Sequence, residues 1–179
     1  MQMRNSATSY GLPSKILHWL MAVLIVGLFA VGLYMADLEM SPDKLKIYGL
    51  HKSIGITVLA LVIVRLVWRL SNPVPESAPG LSKLENSAAT AAHYALYALI
   101  FLIPISGWLM SSYAGFPVSV FGLFTLPPLA APDKAMVDEI KEWHESLAWM
   151  VILLAAAHAG AALYHHFIRK DNVLRRMWF

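Results

Sequence analysis

Apolar residues along this chain gather into four long runs, at about residues 16–36, 48–70, 88–112 and 143–167. A helix needs about 20 mostly apolar residues to cross the hydrocarbon of a bilayer, and each run supplies them. The first run stops at Asp37 and Glu39. The second stops at SNPVPESAPG, where closely spaced prolines forbid helix. The third contains Pro104 and Gly107, which membrane helices tolerate, and a kink is expected there. Residues 113–142 form the longest connection. Their GFPVSVFG and LPPLAAP segments are apolar but interrupted, so a cap lying on the membrane surface is expected. The polar start, MQMRNSATSYGLPSK, reads as a tail before the first span rather than a cleaved signal. With no obvious repeats and no separate soluble domain, residues 1–179 read as one all-α integral membrane four-helix bundle.

Composition sharpens this picture. Hydrophobic residues make up 58% of the chain, charged residues 14%, and the mean hydropathy is +0.58. Soluble domains carry about 25% charged residues, so the chain falls in the membrane class. It has no cysteine. That excludes disulfides, iron–sulfur clusters, thiolate metal sites and covalent haem attachment through C-x-x-C-H.

Charge then sets the orientation. The N-terminal tail, the second-to-third connection with its helix ends, and the C-terminus hold Arg4, Lys15, Arg65, Arg69, Lys83, Arg169, Lys170, Arg175 and Arg176. The opposite side holds only Lys44, Lys46, Lys52, Lys134 and Lys141, with eight of the eleven carboxylates. Cytoplasmic flanks are the ones enriched in Lys and Arg, so both termini are expected in the cytoplasm. The net charge of +3 is accounted for by this topology and gives no reason to expect a nucleic-acid partner.

Orientation turns sequence position into depth. His144 and His158 are fourteen residues apart on the fourth run. On a helix that is about 21 Å along the axis and within about 40° of one face. His51 opens a helix from the outer side, level with His144. His18 opens a helix from the inner side, near the level of His158. His93 also lies near the inner end, and His165 and His166 reach the inner interface. A histidine at a helix end often only hydrogen-bonds headgroups, and that reading stays open for His165 and His166. An ionisable group inside the span is costly, so His158 reads as functional. Zinc or copper needs three or four ligands at one point, which two pairs at different depths do not supply. Haem needs one imidazole on each side of a flat ring, which each pair does supply. Arg65 is fourteen residues after His51 and points inward at the level of His18 and His158. It either grips a haem propionate or snorkels to headgroups. Gly55 and Gly160 offer close approach to a macrocycle or ordinary helix packing.

At these residues the chain resembles the bacterial cytochrome b561 family, four-helix dihaem b cytochromes of the inner membrane. The similar segments are ILHWL around His18, LHKSIGI around His51, WHESLAW around His144, and HAGAALYHHFIRKDNVLRRM near the end. The resemblance spans residues 17–177. It implies two haem b groups, the inner one held by His18 and His158 and the outer one by His51 and His144. It also implies electron exchange with a membrane quinone. The best-defined activity of the family oxidises superoxide at the outer face and reduces ubiquinone near the inner face. His165 matches the first histidine of the pair associated with the quinone headgroup. The family's basic partner, a lysine in the second-to-third loop, is shifted here, and Lys83 stands nearest to it. PVSVFG and LHKSIG are similar to a branch that works beside a periplasmic isoprenoid-binding lipocalin. Against superoxide, the outer loops sum to −3, although Lys52 and Lys141 flank the ligands. Two alternatives stand: a cytochrome b anchor subunit of a larger dehydrogenase or hydrogenase, and a non-redox transporter that uses its histidines.

Overall fold

Four long helices account for most of the chain in the computed structural model, which describes every residue except Met1 and Pro79. They are α1 (Leu12–Asp37), α2 (Pro42–Leu70), α3 (Lys83–Tyr113) and α4 (Lys134–Tyr164). All four are long and apolar enough to cross a membrane. Each begins earlier than the hydrophobic run that announces it, and in three of them a polar cap is the reason. Ser41 accepts from the Lys44 N–H at 3.2 Å and is followed by Pro42 in the first turn. Ser82 and Glu85 form a reciprocal capping box, at 3.2 and 2.7 Å. Asp133 caps α4 through the Ala135 N–H. Helix α4 therefore takes in the last nine residues of the expected surface cap.

The helices pack in chain order, α1 on α2, α2 on α3 and α3 on α4, with only a slight contact between α1 and α4. Met21, Val58, Val62, Leu99 and Val151 form the buried interior. Large apolar residues such as Val23, Val26, Val64, Val67, Leu102, Met150 and Leu153 face outward. An outward apolar surface is what a lipid-facing bundle presents.

The remaining connection is not a featureless cap. It contains an antiparallel hairpin, β1 (Val118–Val120) paired with β2 (Phe124–Leu126). Its turn places Phe121 and Gly122 at positive φ, 51° and 72°. Val118 and Val120 are buried, and two consecutive residues of α2 hold the hairpin down. Lys52 donates to the Pro117 carbonyl at 3.0 Å and to Ser111 Oγ at 3.2 Å. Ser53 Oγ accepts from the Phe121 N–H at 3.0 Å and lies 3.1 Å from the Ser119 carbonyl. The hairpin thus sits directly over the first turns of α2.

At the opposite end the two termini and the α2–α3 connection interlock. Asn5 Oδ1 accepts from the Gly11 N–H and from Ser14 Oγ, both at 2.8 Å, and Asn5 Nδ2 donates to the Pro73 carbonyl at 3.0 Å. A Cβ at Gly11 would overlap the Met3 carbonyl, so glycine is needed there. Lys15 and Trp19 donate to the Trp178 and Met177 carbonyls, at 2.6 and 3.0 Å. Arg176 donates to the Glu76 carbonyl. The polar start is therefore built into a platform, where the sequence suggested only a tail.

Candidate functional site

The bundle brings the histidines together in two groups, one at each end. His51 on α2 and His144 on α4 face each other with ring centroids 6.4 Å apart. His18 on α1 and His158 on α4 do so at 6.2 Å. Two imidazoles on opposite sides of one metal, with bonds of about 2.0 Å, would place their centroids about 6 Å apart. Both pairs have that spacing. Helix α4 contributes one member to each, so the pairs are about 21 Å apart along its axis. Among the described residues no group of three His, Cys, Asp or Glu could hold a metal ion alone. The donor sets fit a group ligated by two imidazoles.

The outer pair is built around helix α3. Gly107 faces the His144 ring, and a Cβ there would stand 3.1 Å from Cε1. A side chain would push the imidazole aside. Ser106 Oγ lies 2.9 Å from His144 Nδ1 and donates its one proton to the Ile103 carbonyl at 2.8 Å. The hydroxyl must therefore accept from Nδ1–H, which leaves the Nε2 lone pair free to bind metal. His51 Nδ1 is buried without a hydrogen-bond partner among the described residues. Neither Ser106 nor this role of Gly107 was legible beforehand. Gly107 had signalled only a kink beside Pro104. Gly55 and Gly160 face open space, so neither is pressed into helix packing.

The inner group has a different character. Arg65 reaches inward, with its guanidinium 3.1 Å from His18 Nδ1 and over the Tyr97 ring at 5.7 Å. It does not snorkel. Arg69 lies over the same ring at 5.8 Å. Arginine can only donate, so His18 Nδ1 accepts. A neutral imidazole that binds metal through Nε2 carries its hydrogen on Nδ1, and one that binds through Nδ1 needs that nitrogen free. Ligation through either atom displaces Arg65 from His18. His93 on α3 is a third member, with its ring 5.3 Å from that of His158.

The proposed quinone residues lie beyond this group. Helix α4 ends in a π turn, His165–Arg169, closed by Lys170 in the left-handed region. His165 Nδ1 meets Asp171 Oδ2 at 2.5 Å. Asp171 lies outside the spans. Partial desolvation works against its charge, but the Val173 N–H, the His165 ring and nearby Arg169 outweigh this and hold its carboxyl below the usual range. His166 Nδ1 is buried without a partner. Lys83 is exposed in the first turn of α3. It is two residues from Glu85, which pairs with Arg169 of the π turn at 2.5 Å.

Comparison with known proteins identifies the family. The family model for prokaryotic cytochrome b561 matches residues 9–179. "Cytochrome b561 homolog 2" of Escherichia coli K12 is 42% identical over 178 residues, covering 99% of this chain and 95% of the relative. "Probable superoxide oxidase CybB" of Yersinia pestis is 30% identical over 166 residues, covering 90% of each. "Cytochrome b562" of Cereibacter sphaeroides is 28% identical, covering 90% of this chain and 89% of the relative. The chain belongs to the prokaryotic cytochrome b561 family, the electron-transfer membrane cytochromes that bind haem b, and is a bacterial multi-pass membrane protein.

Proposed function

We propose that this member of the prokaryotic cytochrome b561 family is an inner-membrane dihaem cytochrome that carries electrons from an outer-face donor to ubiquinone at the inner face. One observation supports two haems rather than one. The facing pairs His51/His144 and His18/His158 have nearly the same spacing at opposite ends of the bundle. Haem held between each pair supplies an iron that takes up and releases one electron.

The chain's own residues do the rest. Ser106 sets the tautomer of His144 so that Nε2 faces the bound group. Gly107 leaves room for that ring. Arg65, which ligation of His18 would release, would be the cation available to the carboxylates of the group held there. Apolar helix surfaces keep water from the path between the two ends. His165, with Lys83 nearby, receives the quinone headgroup at the inner interface. Both termini then lie in the cytoplasm, as the distribution of Lys and Arg supports. Superoxide is the favoured outer donor because a similar relative carries the name superoxide oxidase. Lys52, fixed over the outer pair by the hairpin, supplies a local positive charge against the negative loops. The same hairpin offers a surface for a periplasmic isoprenoid-binding lipocalin.

Haem content and stopped-flow reduction test this reading. The purified protein is expected to hold two haems per chain, with a low-spin spectrum. Superoxide is expected to reduce them faster than quinol does, and ubiquinone to reoxidise them. One haem per chain, or reduction by quinol alone, would overturn the stoichiometry or the direction of flow respectively.

A further inference from the structure

The turn that follows α4 is built with unusual care for a chain end at the membrane interface. Its π winding adds a residue per turn, a local departure that often marks functional sites. Lys170 then adopts φ 56°, in the left-handed region that a non-glycine residue enters only at a cost. Such a conformation persists only where its surroundings fix it. Here they do. The Lys170 and Asp171 N–H groups both donate to the His165 carbonyl. Arg169 is tied to Glu85 at 2.5 Å and to the Gly80 carbonyl at 3.0 Å, which locks the turn to the start of α3.

The result is to carry Asp171 back onto His165. Both side chains are mostly buried, 16% and 20% exposed. Both carboxylate oxygens of Asp171 are committed. Oδ1 accepts from the Val173 N–H at 3.0 Å, and Oδ2 meets His165 Nδ1 at 2.5 Å. An ionised carboxylate only accepts, so Nδ1 carries a hydrogen and donates it. The opposite nitrogen, Nε2, makes no protein hydrogen bond among the described residues.

We infer that Asp171 is the positioning residue of the quinone site: it holds the Nδ1 hydrogen and the ring plane of His165, so that Nε2 is the atom that takes up a proton from the aqueous interface and donates it to a quinone carbonyl oxygen. This rests on the reading that quinone exchanges electrons beside His165. Without the carboxylate the imidazole can turn about its side-chain bonds and exchange tautomers, and only part of the population then offers Nε2 in the right direction. Asp171 acts through His165 and has no separate contact with the quinone.

A double-mutant cycle tests this on the haem-loaded protein in detergent. Reduced protein is mixed with a short-chain ubiquinone, and reoxidation is followed for the wild type, Asp171→Ala, His165→Ala and the double variant. Loss of a charge-assisted hydrogen bond that orients a reacting group predicts that Asp171→Ala slows reoxidation about tenfold. The double variant is expected to be no slower than His165→Ala. Asp171→Asn, which keeps the size and one acceptor oxygen, is expected to fall between the wild type and Asp171→Ala. It carries the cycle if the alanine variant loses haem. Nitrogen-15 spectra of labelled histidine give a second readout: the Nδ1–H form of His165 is expected to give way to a tautomer mixture in Asp171→Ala. A wild-type rate in Asp171→Ala, or losses that multiply in the double variant, would overturn the inference while leaving the quinone site in place. A wild-type rate in His165→Ala would overturn both.

Discussion

Ser106 offers a sharp test of the proposed haem site at the His51/His144 pair. Its hydroxyl takes the His144 Nδ1 hydrogen at 2.9 Å and passes its own proton to the Ile103 carbonyl at 2.8 Å. Ser106→Ala leaves Nδ1–H without an acceptor in a buried place. Leaving a buried donor unpaired costs about 1–3 kcal/mol unless the ring turns to find another partner. Turning is restricted, because Gly107 brings the α3 backbone close to the same Nδ1–Cε1 edge of the ring. Removing the outer partner of a metal-bound histidine typically lowers affinity about 10- to 100-fold. At 1.4 kcal/mol per tenfold, that is about 1.4–2.8 kcal/mol, in agreement with the hydrogen-bond estimate. The inner pair is about 21 Å away along α4 and shares no partner with Ser106. Haem titrated into the haem-free Ser106→Ala protein is therefore expected to fill one site with wild-type affinity and the other 10- to 100-fold more weakly. Ser106→Thr, which keeps the hydroxyl, is expected to restore the second site. Equal weakening of both sites, or no weakening of either, would refute the reasoning.

Other outcomes follow from the same geometry. His51→Ala is expected to remove about half the haem, or to make it high-spin, while the inner haem keeps its spectrum; an unchanged spectrum would remove His51 from the outer site. Arg65→Leu is expected to lower inner-haem occupancy or shift its potential, because the Arg65 guanidinium lies 3.1 Å from His18 Nδ1; redox titration of both haems would check this. Gly107→Ala is expected to weaken the outer haem alone, since the new Cβ would stand 3.1 Å from His144 Cε1. The turn after α4 is expected to loosen on acidification. Asp171 is held below the ordinary carboxylate value, so its stabilising contribution is complete above the unfolded value of about 3.9 and is lost as pH falls through the lower folded value. Limited proteolysis of the C-terminal segment against pH, compared with Asp171→Asn, reads this directly.

The four spans and the levels of the histidines were legible because one physical requirement controls both. A chain that crosses hydrocarbon must do so as helix, and helix geometry converts a spacing of fourteen residues into depth and face. Helix starts were missed by four to nine residues because their first turns are polar. Hydropathy does not register them, although Ser41-Pro42 and the Ser82/Glu85 box are ordinary capping signals. The partners of the histidines were illegible for another reason. Ser106 meets His144 across 38 positions of sequence, and a serine in an apolar helix looks the same whether it packs or caps an imidazole. Asp171 had a signal, six residues after His165, but only the π turn and the left-handed Lys170 bring it back onto the ring. The hairpin had weaker signals. Val118 and Val120 alternate with Ser119, but a three-residue strand ending in a positive-φ phenylalanine is not a typical hairpin sequence.

The two ends of the bundle also differ in a way that bears on the direction of electron flow. Around the outer pair the immediate neighbours are a hydroxyl, a glycine and a hairpin backbone, and the nearest charges, Lys52 and Glu145, are of opposite sign. Around the inner pair two guanidinium groups share the Tyr97 ring, and one of them touches His18. Fixed positive charge in a low-dielectric interior disfavours the extra positive charge of an oxidised centre. The inner level is therefore the better resting place for an electron, before the carboxylates of the bound group are counted. Those carboxylates would offset part of the effect, and Arg65 would be the residue available to hold them. Under the proposed function, an electron entering at the His51/His144 end would fall toward the His18/His158 end. The asymmetry lies in side chains of α2 alone, since Arg65 and Arg69 are one helical turn apart near its inner end. One helix thereby carries both His51 of one pair and the two arginines beside the other.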